Sequence, residues 1–146
     1  MLEAEQIRAR IPHAGLMSLL ERVVSWDESE IHCQATFHPD RPHPLAIGGK
    51  LPMTAMAEYG AQAMAVHGQL LAGDSTSPRA GYLAALGRLE LHGRELTGPA
   101  RLDVRARRLA GDSAGQVYQF SVNVDDRPVA DGQATVMFSD DSSSKG

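Results

Sequence analysis

The sequence has little that would staple, anchor or repeat. A single cysteine among 146 residues, Cys33, excludes an intramolecular disulfide and suits a reducing compartment. No apolar run reaches membrane-spanning length, because the oiliest stretch is interrupted by Glu58, Gln62 and His67, so no membrane association is expected. The opening residues, MLEAEQIRARIPH, lack the basic-then-apolar order of a secretion signal, and a cytoplasmic location is expected. There is no internal repeat. The six histidines are scattered without the paired short spacing of a metal site, so neither a metal nor an organic cofactor is expected.

What is present is enough for one core. At 42% apolar, the chain reads as a single domain over residues 1–138, followed by a polar tail, 139–146, with the composition of a disordered segment. The net charge of −4 is unevenly spread: from Arg79 to Arg108 seven arginines face three acids, leaving about −8 on the remainder. An acidic chain with one arginine-rich face is a poor nucleic-acid binder. That face offers itself to an acidic protein, although a solvated strand surface explains it with fewer assumptions.

The pattern along the chain begins with a short helix built on Leu2, Ile7 and Ile11 and ended by Pro12. Two strands follow in GLMSLLERVVSWDESEIHCQATFHPD, turning at Asp27 to Ser29. In the second, Ile31, Cys33, Ala35 and Phe37 alternate with His32, Gln34, Thr36 and His38, the period of two of a sheet with one buried face. A loop rich in proline and glycine leads to a helix from about Pro52 to Leu71, where proline suits the first turn and Gly73 stops it. From Gly81 the strand pattern returns as YLAALGRLEL, ARLDVRARRL, QVYQFSVNV and RPVADGQATVMF, with a tight hairpin expected at Asp125-Asp126-Arg127. A lone helix that is apolar nearly all round must be surrounded, and only the sheet is available to do it. The expected architecture is α+β: a hotdog fold, an antiparallel curved sheet of about five to six strands wrapped around one long central helix.

On that helix, at about 100° per residue, Thr54, Glu58, Gln62 and Gln69 fall into one narrow stripe, while His67 lies on the opposite side. The stripe reads either as a wet edge or dimer seam, or as a line of polar groups beside a crevice. No lysine or arginine stands between Pro52 and Gly73, which a solvated face would normally carry, and this favours the crevice. Of the remaining histidines, His13 is expected to shape the first turn, His32 and His38 to be solvated outward strand residues, and His92 to lie in a loop or at the surface. His67 is expected to hydrogen-bond in the core or to lie near a dimer partner.

These residues also carry a resemblance. IPHAGLMSLLERVVSWDE resembles the opening of the 3-hydroxyacyl-acyl carrier protein dehydratases, and EYGAQAMA, Glu58 to Ala65, is similar to their helix motif, an acid followed four positions later by glutamine. HPLAIGGKLP…AEYGAQAMAVHG is closer still to the dehydratase-like hotdog proteins of aryl-polyene pigment clusters. The likeness spans about residues 10–138. It implies removal of water from a (3R)-3-hydroxyacyl thioester on acyl carrier protein to give a trans-2-enoyl thioester, in fatty-acid-like or aryl-polyene biosynthesis. On that resemblance Glu58 takes the place of the acid and His43 is the candidate base, supplied across a subunit seam. The loop between them is one residue longer than usual, and HPLA stands where the family carries HFPG.

The chemistry asks for the same groups. An imidazole titrates near neutral pH and can accept a carbon-bound proton, while desolvation favours the protonated form of a carboxyl group, which can then serve a departing hydroxide. Backbone N–H groups at the helix start, near Met53 and Thr54, would meet charge developing on the thioester oxygen, and Gln62 extends the substrate-binding stripe. The open edge of the strand from Gly81 to Leu91 invites pairing. A homodimer or higher homo-oligomer is expected, or a heterodimer with a related hotdog subunit. Two further functions stay open: an acyl-thioester hydrolase on the same fold, and a non-catalytic acyl-binding partner of a true dehydratase.

Overall fold

In the computed structural model, residues 2–3, 19–72, 80–111 and 115–139 are described. Nine strands and one long helix run in the order β1 (Leu2–Glu3), β2 (Arg22–Trp26), β3 (Glu30–Phe37), β4 (Leu51–Pro52), a single 3-10 turn (Met53–Ala55), α1 (Met56–Ala72), β5 (Ala80–Leu91), β6 (Glu95–Leu96), β7 (Ala100–Gly111), β8 (Gly115–Val124) and β9 (Arg127–Ser139). The main sheet is antiparallel throughout, in the order β1-β2-β3-β7-β8-β9-β5, and β4 pairs with β6 in a separate two-stranded ribbon. Leaving aside the two-residue β1, six strands face one helix. This is the expected hotdog arrangement.

The start differs from the expectation. Leu2 and Glu3 pair with Val23 and Arg22 as a strand, so no helix begins at Leu2; backbone pairing to β2 outweighs the loose helical spacing there. The rest of the expected first helix, His13, the stop at Gly73 and residues 140–146 lie outside the described residues.

The alternation in β3 is borne out: Ile31, Cys33, Ala35 and Phe37 are buried toward the helix, while His32, Gln34 and Thr36 face outward. Leu102, Val104 and Ala106 of β7 and Tyr118, Phe120, Val122 and Val124 of β8 continue the same inner face. Register shifts interrupt β2, β5, β7 and β9, and such bulges bend strands enough to curl a sheet around a cylinder. Helix α1 lies against β3, β5, β7, β8 and β9. The approach is close at Gly60, where an added Cβ would fall 2.5 Å from the Phe120 ring, so a glycine is needed for the helix to sit this deep.

The turn between β8 and β9 forms without glycine. Asp125 and Asp126 both adopt positive φ, 48° and 70°, in the region a two-residue hairpin of primed type requires. Arg101 supports it, donating its backbone N–H to Asp125 at 3.0 Å and its guanidinium to Asp126 at 2.8 Å.

Candidate functional site

The helix starts on a fixed footing. Pro52, extended at φ −61° and ψ 144°, leads into the 3-10 turn, and β4 is tied to β6 through Leu51 opposite Leu96 and Pro52 opposite Glu95. Met53 is buried, and its N–H donates to the carbonyl of Arg94 at 2.8 Å. That bond corrects one expectation: the Met53 N–H is not free for substrate, because the β5–β6 connection has claimed it. Thr54 is exposed at the same end.

Around α1 the environment is asymmetric. Ala57, Glu58, Ala61 and Gly68 are partly exposed, whereas Gln62 and Gln69 are buried. The polar stripe read from the sequence therefore splits. Gln62 is 1% exposed and its Oε1 accepts the N–H of Leu19 at 2.7 Å, holding the segment that leads into β2. Glu58 lies on the partly exposed side, in the first turn of α1, with small side chains as neighbours on that side. Among the described residues its side chain makes no hydrogen bond and no ion pair.

His43 is held by three contacts. Its Nδ1 accepts the N–H of Leu45 at 3.0 Å, its Nε2 lies 3.0 Å from the Tyr59 hydroxyl, and Phe37 meets it edge-on at a centroid distance of 5.8 Å. The Nδ1 lone pair faces a donor, so the neutral ring carries its proton on Nε2 and donates to Tyr59. Burial lowers the His43 pKa and keeps the ring neutral. Burial, and then the nearby Glu21 carboxylate, push the Tyr59 pKa up. Tyr59 is the residue that sequence reading missed; between Glu58 and Gly60 in an apolar helix it gave only a core signal.

His67 is fully buried and belongs to the core. Its Nδ1 accepts from the Tyr118 hydroxyl at 2.6 Å and its Nε2–H donates to the Asp27 carbonyl at 2.7 Å. Desolvation lowers its pKa; the Asp27 carbonyl opposes this, and Arg108 adds to it. Cys33 is buried as well, its thiol pushed up to about 12 by desolvation, which removes it as a nucleophile.

The outer face of the sheet is less basic than its sequence. Arg101 pairs with Asp103 and Asp126, and Arg88 with Asp131 and Glu90. His32, expected to be solvated, instead meets Asp103 at 2.7 Å. Burial alone would raise the Asp103 pKa, but hydrogen bonds from Gln34, His32 and Arg101 outweigh it and hold the carboxylate below its ordinary range. Glu90, His92 and Asp131 bring three possible metal ligands within 4.8 Å of one another. Arg88 already sits on Asp131 at 2.6 Å, so a cation there would compete with a guanidinium.

Among the described residues no helix is long and apolar enough to cross a membrane. The chain has no match among curated proteins. Among solved structures it is similar to the dehydratase heterocomplex ApeI:P from Xenorhabdus doucetiae, with a TM-score of 0.85 and 21% identity over 93% of this chain and 92% of that one. It is also similar to a hypothetical thioesterase with coenzyme A from Streptococcus pneumoniae, with a TM-score of 0.62 and 9% identity over 82% and 85% of the two chains. A mutant thioesterase from Pseudomonas aeruginosa matches with a TM-score of 0.62 and 17% identity over 94% of each chain. At these identities the solved structures share the fold. The family model described as ApeP dehydratase matches residues 5–145, nearly the whole sequence, and the chain belongs to this ApeP-like family.

Proposed function

We propose that this chain takes part in the dehydration of a (3R)-3-hydroxyacyl thioester carried on an acyl carrier protein, with Glu58 as the acid that helps the hydroxyl leave. One observation carries the reading. Glu58 is half-buried near Ala57 and Ala61 on the one partly exposed side of an otherwise enclosed helix, and no side-chain bond among the described residues explains its presence. A carboxyl group at that position is available for chemistry. Membership of a dehydratase family supports this reaction class.

A base removes the C2 proton, the freed electron pair forms the C2–C3 double bond, and the C3–O bond breaks as the hydroxyl takes a proton from the Glu58 carboxyl and departs as water. Transfer of a proton from the base back to Glu58 completes the cycle. Thr54, exposed at the helix start, lies where backbone N–H groups without intrahelical partners can meet the thioester oxygen. The open edge of β5 provides for a subunit seam, since among the described residues β5 pairs only with β9.

The hydrolase reading has thioesterases of the same fold behind it, and a carboxylate that activates water would use the same Glu58. Incubation with a 3-hydroxyacyl carrier protein, alone and with a hotdog subunit as partner, separates the readings by mass. Dehydration gives a carrier lighter by one water. Release of the free acid would replace this reading with hydrolysis, and an unchanged carrier in both cases would reduce the chain to a binding subunit.

A further inference from the structure

We propose that His43 is a positioning residue rather than the base that takes the C2 proton. This rests on the dehydration reading above. A neutral imidazole has one lone pair, and here it is committed. Residues 43–46 form a turn in which the Ala46 N–H bonds the His43 carbonyl at 3.2 Å, with Pro44 in its first central position. Within that turn the Leu45 N–H is aimed at Nδ1 at 3.0 Å. The opposite tautomer would set two N–H donors against each other at that distance, and so would a doubly protonated ring.

The other nitrogen fails for a different reason. Nε2 is the atom that would have to reach a substrate on a neighbouring subunit's helix, yet it carries the proton and points at this chain's own Tyr59, 3.0 Å away. Tyr59 is 1% exposed and sits about 100° around the helix from Glu58, toward the core. His43 therefore joins the loop preceding β4 to the helix turn that carries Glu58. Its effect on the reaction passes through Tyr59 to the placement of that carboxyl group. Held in this way, the His43 imidazole has no free lone pair to take the C2 proton.

The proposal is tested on the full chain assembled with a hotdog dehydratase subunit, using a 3-hydroxyacyl carrier protein as probe. His43→Gln, which keeps a donor and an acceptor, should retain dehydration within about threefold and leave the pH profile of kcat/KM unmoved, and His43→Ala should lose more than His43→Gln. Side-chain 15N NMR of the histidine-labelled protein should show the His43 proton on Nε2. The proposal is overturned by a His43→Gln assembly that forms normally but has lost about 100-fold or more of its rate, or by a proton found on Nδ1. Absence of dehydration in every assembly would instead remove the functional reading, and the NMR result would still decide the state of His43.

Discussion

Two histidine–tyrosine pairs bracket the central helix, His43–Tyr59 near its start and His67–Tyr118 near its end, and they are built alike. Each ring has its Nδ1 facing a donor and its Nε2–H facing an oxygen, and each has its pKa lowered by desolvation. They differ in depth: His67 is fully enclosed, whereas His43 is partly open and belongs to a loop. By sequence the two had different fates, one a candidate base and the other a residue of the core or of a dimer seam. The lesson is that the role of a histidine is set by which nitrogen its neighbours leave free, and neither ring here has a free one.

The largest expected difference between the pairs is in stability. His67→Ala leaves the Tyr118 hydroxyl and the Asp27 carbonyl without their partner in a dry setting, an expected loss of about 3 kcal/mol by chemical denaturation. His43→Ala, in a half-open loop, should cost about 1 kcal/mol. Equal losses would break the distinction of depth. Between the two pairs, Gly60→Ala drives a methyl group into the Phe120 ring, and overpacking of this kind costs about 2 kcal/mol. A neutral result would mean that the helix can lift away from the sheet without disturbing either pair.

A smaller effect separates them by pH. In the unfolded chain both rings take up a proton near pH 6.5, while in the folded chain both are held neutral to lower pH. The unfolded state thus binds more protons below that point, so the stability these rings contribute is complete above about pH 6.5 and is lost as pH falls through the lowered folded values. Denaturation midpoints measured from about pH 7.5 down to 5 should decline in the native protein, and His67→Gln should remove more of that decline than His43→Gln. The smallest contrast is between hydroxyls: Tyr118→Phe is expected to cost about 1.5 kcal/mol and Tyr59→Phe about 0.5 kcal/mol.

Much of the fold was legible because burial writes a clear period into this sequence. The alternation from Ile31 to Phe37, the apolar helix between two prolines and glycines, and the four strands after Gly81 each follow from one side chain in two, or nearly all of them, being dry. The turn at Asp125 and Asp126 was placed without its usual glycine because the flanking strands fix where the chain must reverse. Leu2–Glu3 was misread, since a two-residue strand has no period to detect.

The candidate site was legible only in part. Glu58 stands out in any reading as a charge without a reason among small apolar residues. Gln62, by contrast, shares its stripe but not its surroundings: it is buried and its Oε1 holds the N–H of Leu19. The capture of the Met53 N–H by Arg94, and of His43 Nδ1 by Leu45, depends on loop paths that residue spacing does not encode. Pairing of Arg88 with Asp131 on the neighbouring strand, and of Arg101 with Asp103 on its own strand, likewise leaves the arginine-rich segment less basic than its sequence.

The most direct measurement is the single-turnover rate of enoyl thioester formation by the assembled protein with Glu58 and with Glu58→Gln, read together with the thermal midpoint of each. If the carboxyl group is there for proton transfer, the rate falls by about 10²- to 10⁴-fold while the midpoint stays where it was. An unchanged rate, or a rate that falls only as far as the fold is weakened, would contradict the account.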